Sequence, residues 1–396
     1  WNQSQFVSTI WLCATASVAE EKMSFSRRVE QAPTRMETLP ASETIKTWLR
    51  NYKPRVYVSP ESYLPMSFYR DYLPNTVLKN EQGEPIQTNV GENTLVEYAN
   101  QNDHYLDYLP TETEARKFTL QDLHPTFYGR VYADTLTYKK NEFPLLFLKY
   151  STVFPFSGLP YGNSWWKNAT SWMAGNPWGW HELDIHGAIY VILHRPSMEP
   201  IGLMLGQHNH HKVHLRTRDF QWPKNDRVSI SFAVRSNEPY LLTETMRSRL
   251  EPTVGNPEDI EALYETNWIR PLSAGYDRIL APEDGSKTIP MTLRYLKPDD
   301  PLYTSHMDLG DRRMLFGFWR TWFRDGPPGI NYYAPPQLKN LADLAAFWDI
   351  DGKDQTFFNL LRKYKGEPRG ERIEQLLSYQ KQQFARSISR VVNKLK

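Results

Sequence analysis

Cysteine is almost absent from this sequence: Cys13 is the single cysteine among 396 residues. One cysteine cannot form a disulfide framework. A chain of this length does not need one, because it can bury a large hydrophobic core. No apolar run reaches the roughly 18 residues that a membrane-spanning helix needs, which excludes a multispan membrane protein. The formal net charge is only +2, so the charge of the whole chain gives no reason to expect binding to nucleic acid.

The first 19 residues have the pattern of the end of a secretory signal peptide. Residues 6–19 are mostly apolar, end in small residues and are followed by two glutamates. We therefore predict a signal peptide at residues 1–19 and a secreted or periplasmic, membrane-associated protein; an ordinary N-terminal helix is the alternative. Because Cys13 lies in this segment, the rest of the chain contains no cysteine, which favours a bacterial envelope over an animal extracellular space.

The middle of the chain consists of short runs of β-branched and aromatic residues separated by Pro, Asn and Asp. The clearest runs are RVYVS, PLLFLKYSTVF, GAIYVILH, IGLMLG, RVSISFAV and TLRYL. Such runs without amphipathic helices between them predict antiparallel strands and argue against a parallel βαβ sheet. The predicted fold class is therefore mainly β: an antiparallel β-sandwich with a short N-terminal helix and a helical C-terminal extension.

The predicted organisation has four parts. They are the signal peptide at 1–19, a polar leader and a short helix at 20–51, the β-sandwich domain at 52–335 and a helical, basic C-terminal extension at 336–396. The short helix begins near Ser42, a residue that can cap it, and has Ile45, Trp48 and Leu49 on one face. Residues 239–268 are predicted to be partly helical.

The C-terminal extension contains two helical patterns. The first is a short helix at residues 338–348, and the second is an amphipathic stretch from residue 371 onward. Residues 360–396 contain ten Lys and Arg against three Glu, so the second helix is strongly basic. It can lie on an anionic membrane or dock to a protein complex, or its apolar seam can pack on the parent domain while its basic face is solvated. The candidate contact residues are Arg386, Arg390 and Lys394.

Seven of the ten histidines lie between residues 181 and 214. If the segment at 181–186 enters a strand, the alternation of side chains places Glu182, Asp184 and His186 on one face. A neighbouring antiparallel strand would bring this face close to the histidines at 207–214. The candidate ligands of a divalent metal ion are His181, Asp184, His186, His208 and His210. Imidazole with carboxylate suits Zn, Mn or Fe, and a carboxylate-rich subset with water suits Mg or Ca; the alternative is a surface patch of hydrogen-bonding side chains.

Tryptophan is concentrated just before the histidine-rich segment. The candidate binding residues in this stretch are Trp165, Trp166, Trp172 and Trp178. On an exposed loop these indole rings would form a platform for a glycan or a lipid headgroup. The alternative is that they are buried and fill an edge of the sandwich.

Five segments carry a resemblance to a known family: 52–65 (YKPRVYVSPESYLP), 150–158 (YSTVFPFSG), 181–193 with the Gln-His at 207–208, 316–319 (FGFW) and 325–329 (DGPPG). In the same order they resemble the opening, the aromatic strand, the Asp-Trp-Glu strand with a later Gln-His, and the closing Trp-Gly and Gly-Pro-Pro-Gly elements of the vacuolar protein sorting-associated protein 62 family. Together they span about residues 52–335. The resemblance implies a β-sandwich but no defined activity.

The segment Trp180–His186 is also similar to the Gly-His-Arg-His-Asp-Trp-Glu heptad of the necrosis- and ethylene-inducing peptide-like family. That family binds a divalent cation through the first His, the Asp and the Glu, which fall here on His181, Asp184 and His186. Leu183 stands where the family has its second His. Because imidazole replaces the final carboxylate, the resemblance favours a softer metal, or none, over Mg- or Ca-dependent sphingolipid binding. It too implies a β-sandwich.

These observations leave three functions open. The first is a non-enzymatic envelope protein that binds a partner complex or a membrane surface, with the His/Asp cluster as a structural metal site. The second is a metal-dependent hydrolase of a sugar, phosphoester or lipid headgroup, in which the ion activates water and Glu182 is the general base. The third, from the second resemblance, is a cytolysin-like toxin that recognises a glycolipid.

Overall fold

The computed structural model describes residues 42–98, 101, 104–158, 181–207, 210–216, 220–223, 227–243, 247–252, 276–297, 300–304, 347–350, 382 and 384–395. They form a mainly β protein with a short helix at the N-terminal end and another at the C-terminal end, which confirms the predicted fold class. The predicted signal peptide at 1–19 and the leader up to residue 41 lie outside the described residues.

The strands, in chain order, are β1 (Arg55–Val58), β2 (Thr76–Asn80), β3 (Pro85–Gln87), β4 (His104–Tyr108), β5 (Thr126–Tyr138), β6 (Asn141–Ser157), β7 (His181–His194), β8 (Glu199–Gln207), β9 (His210–Leu215), β10 (Ser229–Phe232), β11 (Pro239–Leu242), β12 (Arg249–Pro252), β13 (Tyr276–Ile279), β14 (Lys287–Ile289), β15 (Thr292–Tyr295) and β16 (Phe347–Ile350).

The α-helices are α1 (Ser42–Asn51), α2 (Glu92–Tyr98), α3 (Glu112–Ala115), α4 (Pro301–Thr304) and α5 (residues 384–393). A π-helix at Phe68–Tyr72 and two 3-10 turns at Leu73–Asn75 and Pro282–Asp284 complete the helical segments of the described chain.

All six runs that were predicted as strands are confirmed, in β1, β6, β7, β8, β10 and β15. Two helix predictions are wrong where the chain is described. Pro239–Leu242 and Arg249–Pro252 are strands β11 and β12, because their backbones pair with those of β10 and β13. Phe347–Ile350, at the end of the helix predicted for 338–348, is strand β16 and pairs with β9.

The largest described sheet has seven strands in the order β15-β5-β6-β7-β8-β9-β16. Its interior from β5 to β9 is an antiparallel meander, whereas the outer strands β15 and β16 run parallel to their neighbours. A second sheet has the order β11-β10-β1-β14, and β1 is parallel to β10 within it. A third sheet has the order β3-β2-β4, and the remaining two described strands, β12 and β13, form a two-stranded sheet.

One face of the seven-stranded sheet packs against the second sheet, which gives a sandwich-like arrangement. Leu148 and Val191 on this face belong to the same buried cluster as Val56 and Phe232 of the second sheet. The rings of Phe154 and Phe232 meet edge to face with their centroids 5.0 Å apart. Burial of apolar side chains between two sheets is the main favourable term in such a fold.

The opposite face of the same sheet is covered by α5. Phe147 and Ile192 of the sheet form a buried cluster with Phe384, Ile388 and Val391 of the helix. Because both faces are buried, the central strands read as continuous apolar runs and not as the alternating pattern of a half-exposed sheet. The run PLLFLKYSTVF in β6 is an example.

Helix α1 packs on β5, and its apolar face is the one predicted from the sequence. Ile45 and Leu49 are buried, and Trp48 is packed against the same core. Gly129 on β5 leaves room for the helix, since a Cβ there would lie 2.9 Å from Leu49 Cδ1. The hydroxyl of Tyr150 donates to the Leu49 carbonyl at 2.9 Å and so satisfies one of the free carbonyl groups at the end of α1.

The packing of α5 predicts that its two faces respond differently to substitution. Ile388→Ala should lower the free energy of unfolding by about 2–5 kcal/mol, because it leaves a cavity against the sheet. Arg386→Ala on the exposed face should change it by less than about 0.5 kcal/mol. Urea unfolding followed by circular dichroism measures both, and equal effects would contradict the placement of α5.

Candidate functional site

Strands β7, β8 and β9 are neighbours, and the histidine-rich segments lie at one end of them. Ile189 of β7 is opposite Leu205 of β8, which in turn is opposite Lys212 of β9. Towards the end of the sheet, Gln207 and His210 form the last pair between β8 and β9. The topology therefore brings the first residues of β7 and β9 to the same end of the sheet.

The predicted metal ligands are distributed over this end as follows. His181, Asp184 and His186 lie in β7, and His210 is the first residue of β9. His208 lies outside the described residues, as do the side chains of His181, His186 and His210. Asp184 is the one member of the predicted ligand set whose side chain is described. Within the described side chains, no group of three or more His, Cys, Asp or Glu is placed to hold a metal ion.

No family profile, curated protein or solved structure matches the chain. The resemblances described above therefore stay predictions. In the described part of the chain no helix has both the length and the hydropathy that crossing a bilayer requires.

Asp184 is a buried residue, with 6% of its surface exposed. Its Oδ2 accepts a hydrogen bond from Nδ2 of Asn237 at 2.8 Å. The same amide group donates to the carbonyl oxygen of Phe156 at 2.8 Å. Asn237 lies in the turn between β10 and β11 and has a φ of 56°, a left-handed conformation that Asn tolerates well. Asp184 thus helps to hold this turn against β6 and β7.

Glu182 is fully buried. Its Oε1 accepts hydrogen bonds from the backbone N of Tyr108 at 2.5 Å and from the hydroxyl of Tyr72 at 3.1 Å. The rings of Tyr72 and Tyr108 stack with centroids 4.7 Å apart. Burial, and then the negative charge of Glu182, raise the pKa of Tyr72 well above its ordinary value. The described contacts of Glu182 join β4 and the π-helix to β7, and its role as a general base stays a prediction.

The predicted alternation along β7 is interrupted. Leu183, between Glu182 and Asp184, has a φ of 50°, which an extended strand does not use. Glu182 and Asp184 are opposite Phe156 and Phe154 of β6. They are nevertheless bonded to different parts of the protein, the first to Tyr72 and Tyr108 and the second to Asn237. Nothing in the sequence around Leu183 indicates this left-handed conformation, so a prediction based on alternating side chains could not include it.

His214, at the far end of the histidine-rich segment, is packed beside the apolar core. It is opposite Leu203 on the neighbouring strand, and its ring centroid is 6.1 Å from that of Phe220. Its Nε2 atom is buried and has no hydrogen-bond partner among the described residues. Burial, with smaller contributions from Lys212 and Arg249, lowers the pKa of His214 to about 3. At neutral pH this histidine is therefore uncharged.

Helix α5 presents the predicted contact residues to solvent. Arg386, Arg390 and Lys394 are exposed, and we call these three residues the basic face. Arg386 and Arg390 are four residues apart on one side of the helix, and Lys394 follows in the turn directly after it. None of them takes part in an ion pair with another described residue. The described part of the apolar seam is buried against the sheet, and the basic face is exposed to solvent.

The candidate aromatic platform of Trp165, Trp166, Trp172 and Trp178 lies outside the described residues.

The sequence did not indicate one buried charged residue. Lys149 is buried in the sheet with 1% of its surface exposed. Its Nζ is 5.9 Å from the ring centroid of Tyr190, and Arg130 is opposite it on β5. Burial and the charge of Arg130 lower the pKa of Lys149 well below its ordinary value. The sequence does contain one indication of this buried lysine, since Lys149 is the single charged residue in the apolar run PLLFLKYSTVF.

The low pKa of His214 predicts a loss of stability in acid. The unfolded chain binds a proton near pH 6.5 but the folded chain binds it only near pH 3, so stability falls as the pH drops through this interval. Between pH 7 and pH 5 His214 should account for a loss of about 2 kcal/mol.

Urea unfolding at pH 7 and pH 5 measures this loss. The His214→Gln variant should lose about 2 kcal/mol less than the unmodified protein between the two pH values. The matched control is His194→Gln on β7, whose Nδ1 is 2.9 Å from the Ser197 hydroxyl near the surface. An unchanged pH dependence in His214→Gln would contradict the assignment of His214 as a neutral residue whose Nε2 atom is buried.

Proposed function

We propose that the protein binds an anionic membrane surface through the basic face of α5. The observation that carries this proposal is the separation of the two faces of the helix. Phe384 and Ile388 are buried in the core, while Arg386, Arg390 and Lys394 are exposed along one side. A helix whose apolar seam is already packed cannot insert that seam into lipid, so the contact is electrostatic.

The expected strength of this contact is modest. A Lys or Arg close to an anionic leaflet contributes about 1 kcal/mol, so three residues contribute about 3 kcal/mol. The attraction falls off within a Debye length, about 8 Å at physiological ionic strength, and weakens as salt is added. These magnitudes fit a reversible, peripheral association and not a permanent anchor.

Vesicle sedimentation tests this proposal. The protein should bind vesicles of phosphatidylcholine with phosphatidylserine, should not bind vesicles of phosphatidylcholine alone, and should be released by salt. Replacing all three residues of the basic face by Gln should weaken binding by about 100-fold, the equivalent of the 3 kcal/mol above.

The matched control removes the same charge from other elements. Lys117, Lys139 and Lys287 are also exposed, and their replacement by Gln should leave vesicle binding nearly unchanged. Equal losses in both triple variants would indicate a nonspecific effect of net charge and contradict the proposal. Failure of the unmodified protein to bind acidic vesicles would overturn it and leave a protein partner as the remaining contact for the basic face.

A metal-dependent hydrolase is the second candidate, because the first residues of β7 and β9 lie at the same end of the sheet as the last residues of β8. In this candidate Asp184, His186, His208 and His210 would hold a divalent ion. A bound ion would supply activation of water for the hydrolysis of a sugar, phosphoester or lipid headgroup.

Metal analysis by mass spectrometry on protein purified without chelators tests this candidate. We expect one equivalent of a transition metal in the unmodified protein and a large loss in Asp184→Asn. Asn is close in size and its carbonyl oxygen can still accept from Asn237, so the fold should survive. His194→Asn, at the other end of β7, should retain the metal. Protein without metal above background would exclude the hydrolase.

A further inference from the structure

A second candidate site lies on the π-helix and at the start of β5. Asp71 belongs to the π-helix at Phe68–Tyr72, and only 3% of its side chain is exposed. His124 lies just before β5, and 43% of its side chain is exposed. The Nδ1 atom of His124 is 2.7 Å from Oδ1 of Asp71. A buried carboxylate thus holds one side of an imidazole ring that reaches the surface.

The hydrogen bonds of Asp71 determine where the proton of His124 lies. The other carboxylate oxygen, Oδ2, accepts from the backbone N of Ser67 at 2.7 Å and from the backbone N of His124 at 2.7 Å. An ionised carboxylate only accepts hydrogen bonds, so Nδ1 of His124 carries the proton that it shares with Oδ1. In the neutral ring Nε2 is then the unprotonated nitrogen. No described residue forms a hydrogen bond with Nε2.

The backbone around both residues is held by further bonds. The hydroxyl of Tyr128 accepts from the backbone N of Phe68 at 2.7 Å, which ties the start of the π-helix to β5. The hydroxyl of Thr126 donates to the carbonyl oxygen of His124 at 2.7 Å. Asn75 donates from its side chain to the carbonyl of Asp71 at 2.8 Å. The pair is therefore preorganised, and π-helical turns occur frequently at functional sites.

We propose that His124 is a nucleophilic catalytic residue towards acyl esters and that Asp71 is its positioning residue. A carboxylate on Nδ1 fixes the tautomer and orientation of the imidazole and stabilises the cation that forms when Nε2 reacts. This site is independent of the proposed membrane contact, because it uses the π-helix and the start of β5 and not α5.

The reaction is an acyl transfer in two steps. Nε2 of His124 uses its lone pair to form a bond with the carbonyl carbon of the ester, and the bond from that carbon to the alkoxy or aryloxy oxygen breaks, so that the oxygen leaves with the electron pair. The acylated ring is then an imidazolium, whose Nδ1 proton is stabilised by Asp71. Water attacks the acyl carbon, the bond from that carbon to Nε2 breaks, and its electron pair returns to the ring. One proton of the water stays on the released carboxylic acid, and the other is taken up by the alkoxide or aryloxide that left in the first step, so that the neutral ring is restored.

Hydrolysis of 4-nitrophenyl acetate by the full chain tests the nucleophile. His124→Gln should lower the protein-dependent rate by at least about tenfold. It should keep the fold, because both backbone bonds to Oδ2 remain. The matched control is His194→Gln, since His194 has a neutral hydroxyl on its Nδ1 where His124 has a carboxylate. An unchanged rate in His124→Gln, or an equal loss in both variants, would overturn the proposal.

The tautomer of His124 tests the positioning role of Asp71 without relying on activity. Long-range ¹H–¹⁵N spectra of the unmodified protein should show His124 protonated at Nδ1 and bare at Nε2. The Asp71→Asn substitution should shift the imidazole ring of His124 towards the Nε2-protonated form. It should also lower the rate of 4-nitrophenyl acetate hydrolysis. A ring already protonated at Nε2 in the unmodified protein would overturn the proposal, and this measurement stands even if Asp71→Asn fails to fold.

Discussion

The burial of the seven-stranded sheet on both faces is the constraint on which the rest of the structure depends. Its central strands must be apolar on both sides, and this is why β6 is buried over nearly its whole length. Polar side chains in these strands must then find partners inside the protein. Glu182 meets Tyr72 and Tyr108, and Asp184 meets Asn237, so the polar residues near the end of β7 connect the sheet to the loops and turns around it.

The same constraint determines what the C-terminal helix can do. One face of the sheet is covered by the smaller sheet and the other by α5, so the apolar seam of α5 is part of the core. The basic face stays exposed and is available for a contact with another molecule. An amphipathic helix in a sequence does not by itself distinguish packing on the parent domain from packing on a membrane; the apolar face of a neighbouring sheet decides it.

Much of the fold could be predicted from local patterns, and the remainder depends on distant partners. The strands were recognisable because β-branched and aromatic residues recur in short runs, and α1 because Ile45 and Leu49 have helical spacing. Arg249–Pro252 and Phe347–Ile350 were not, because their strand conformation comes from pairing with β13 and β9. Asp71 and His124 are 53 residues apart, so no motif spacing could connect them.

The central claim is that α5 is folded onto the sheet before it meets any surface. Hydrogen–deuterium exchange of the full chain without vesicles tests it most directly, because buried helical amides exchange slowly and unfolded ones do not. The account predicts slow exchange over residues 384–393 in free protein and little further protection when phosphatidylserine vesicles are added. Rapid exchange in the free protein, with protection that appears only on vesicles, would show that α5 forms on the membrane and would contradict the account.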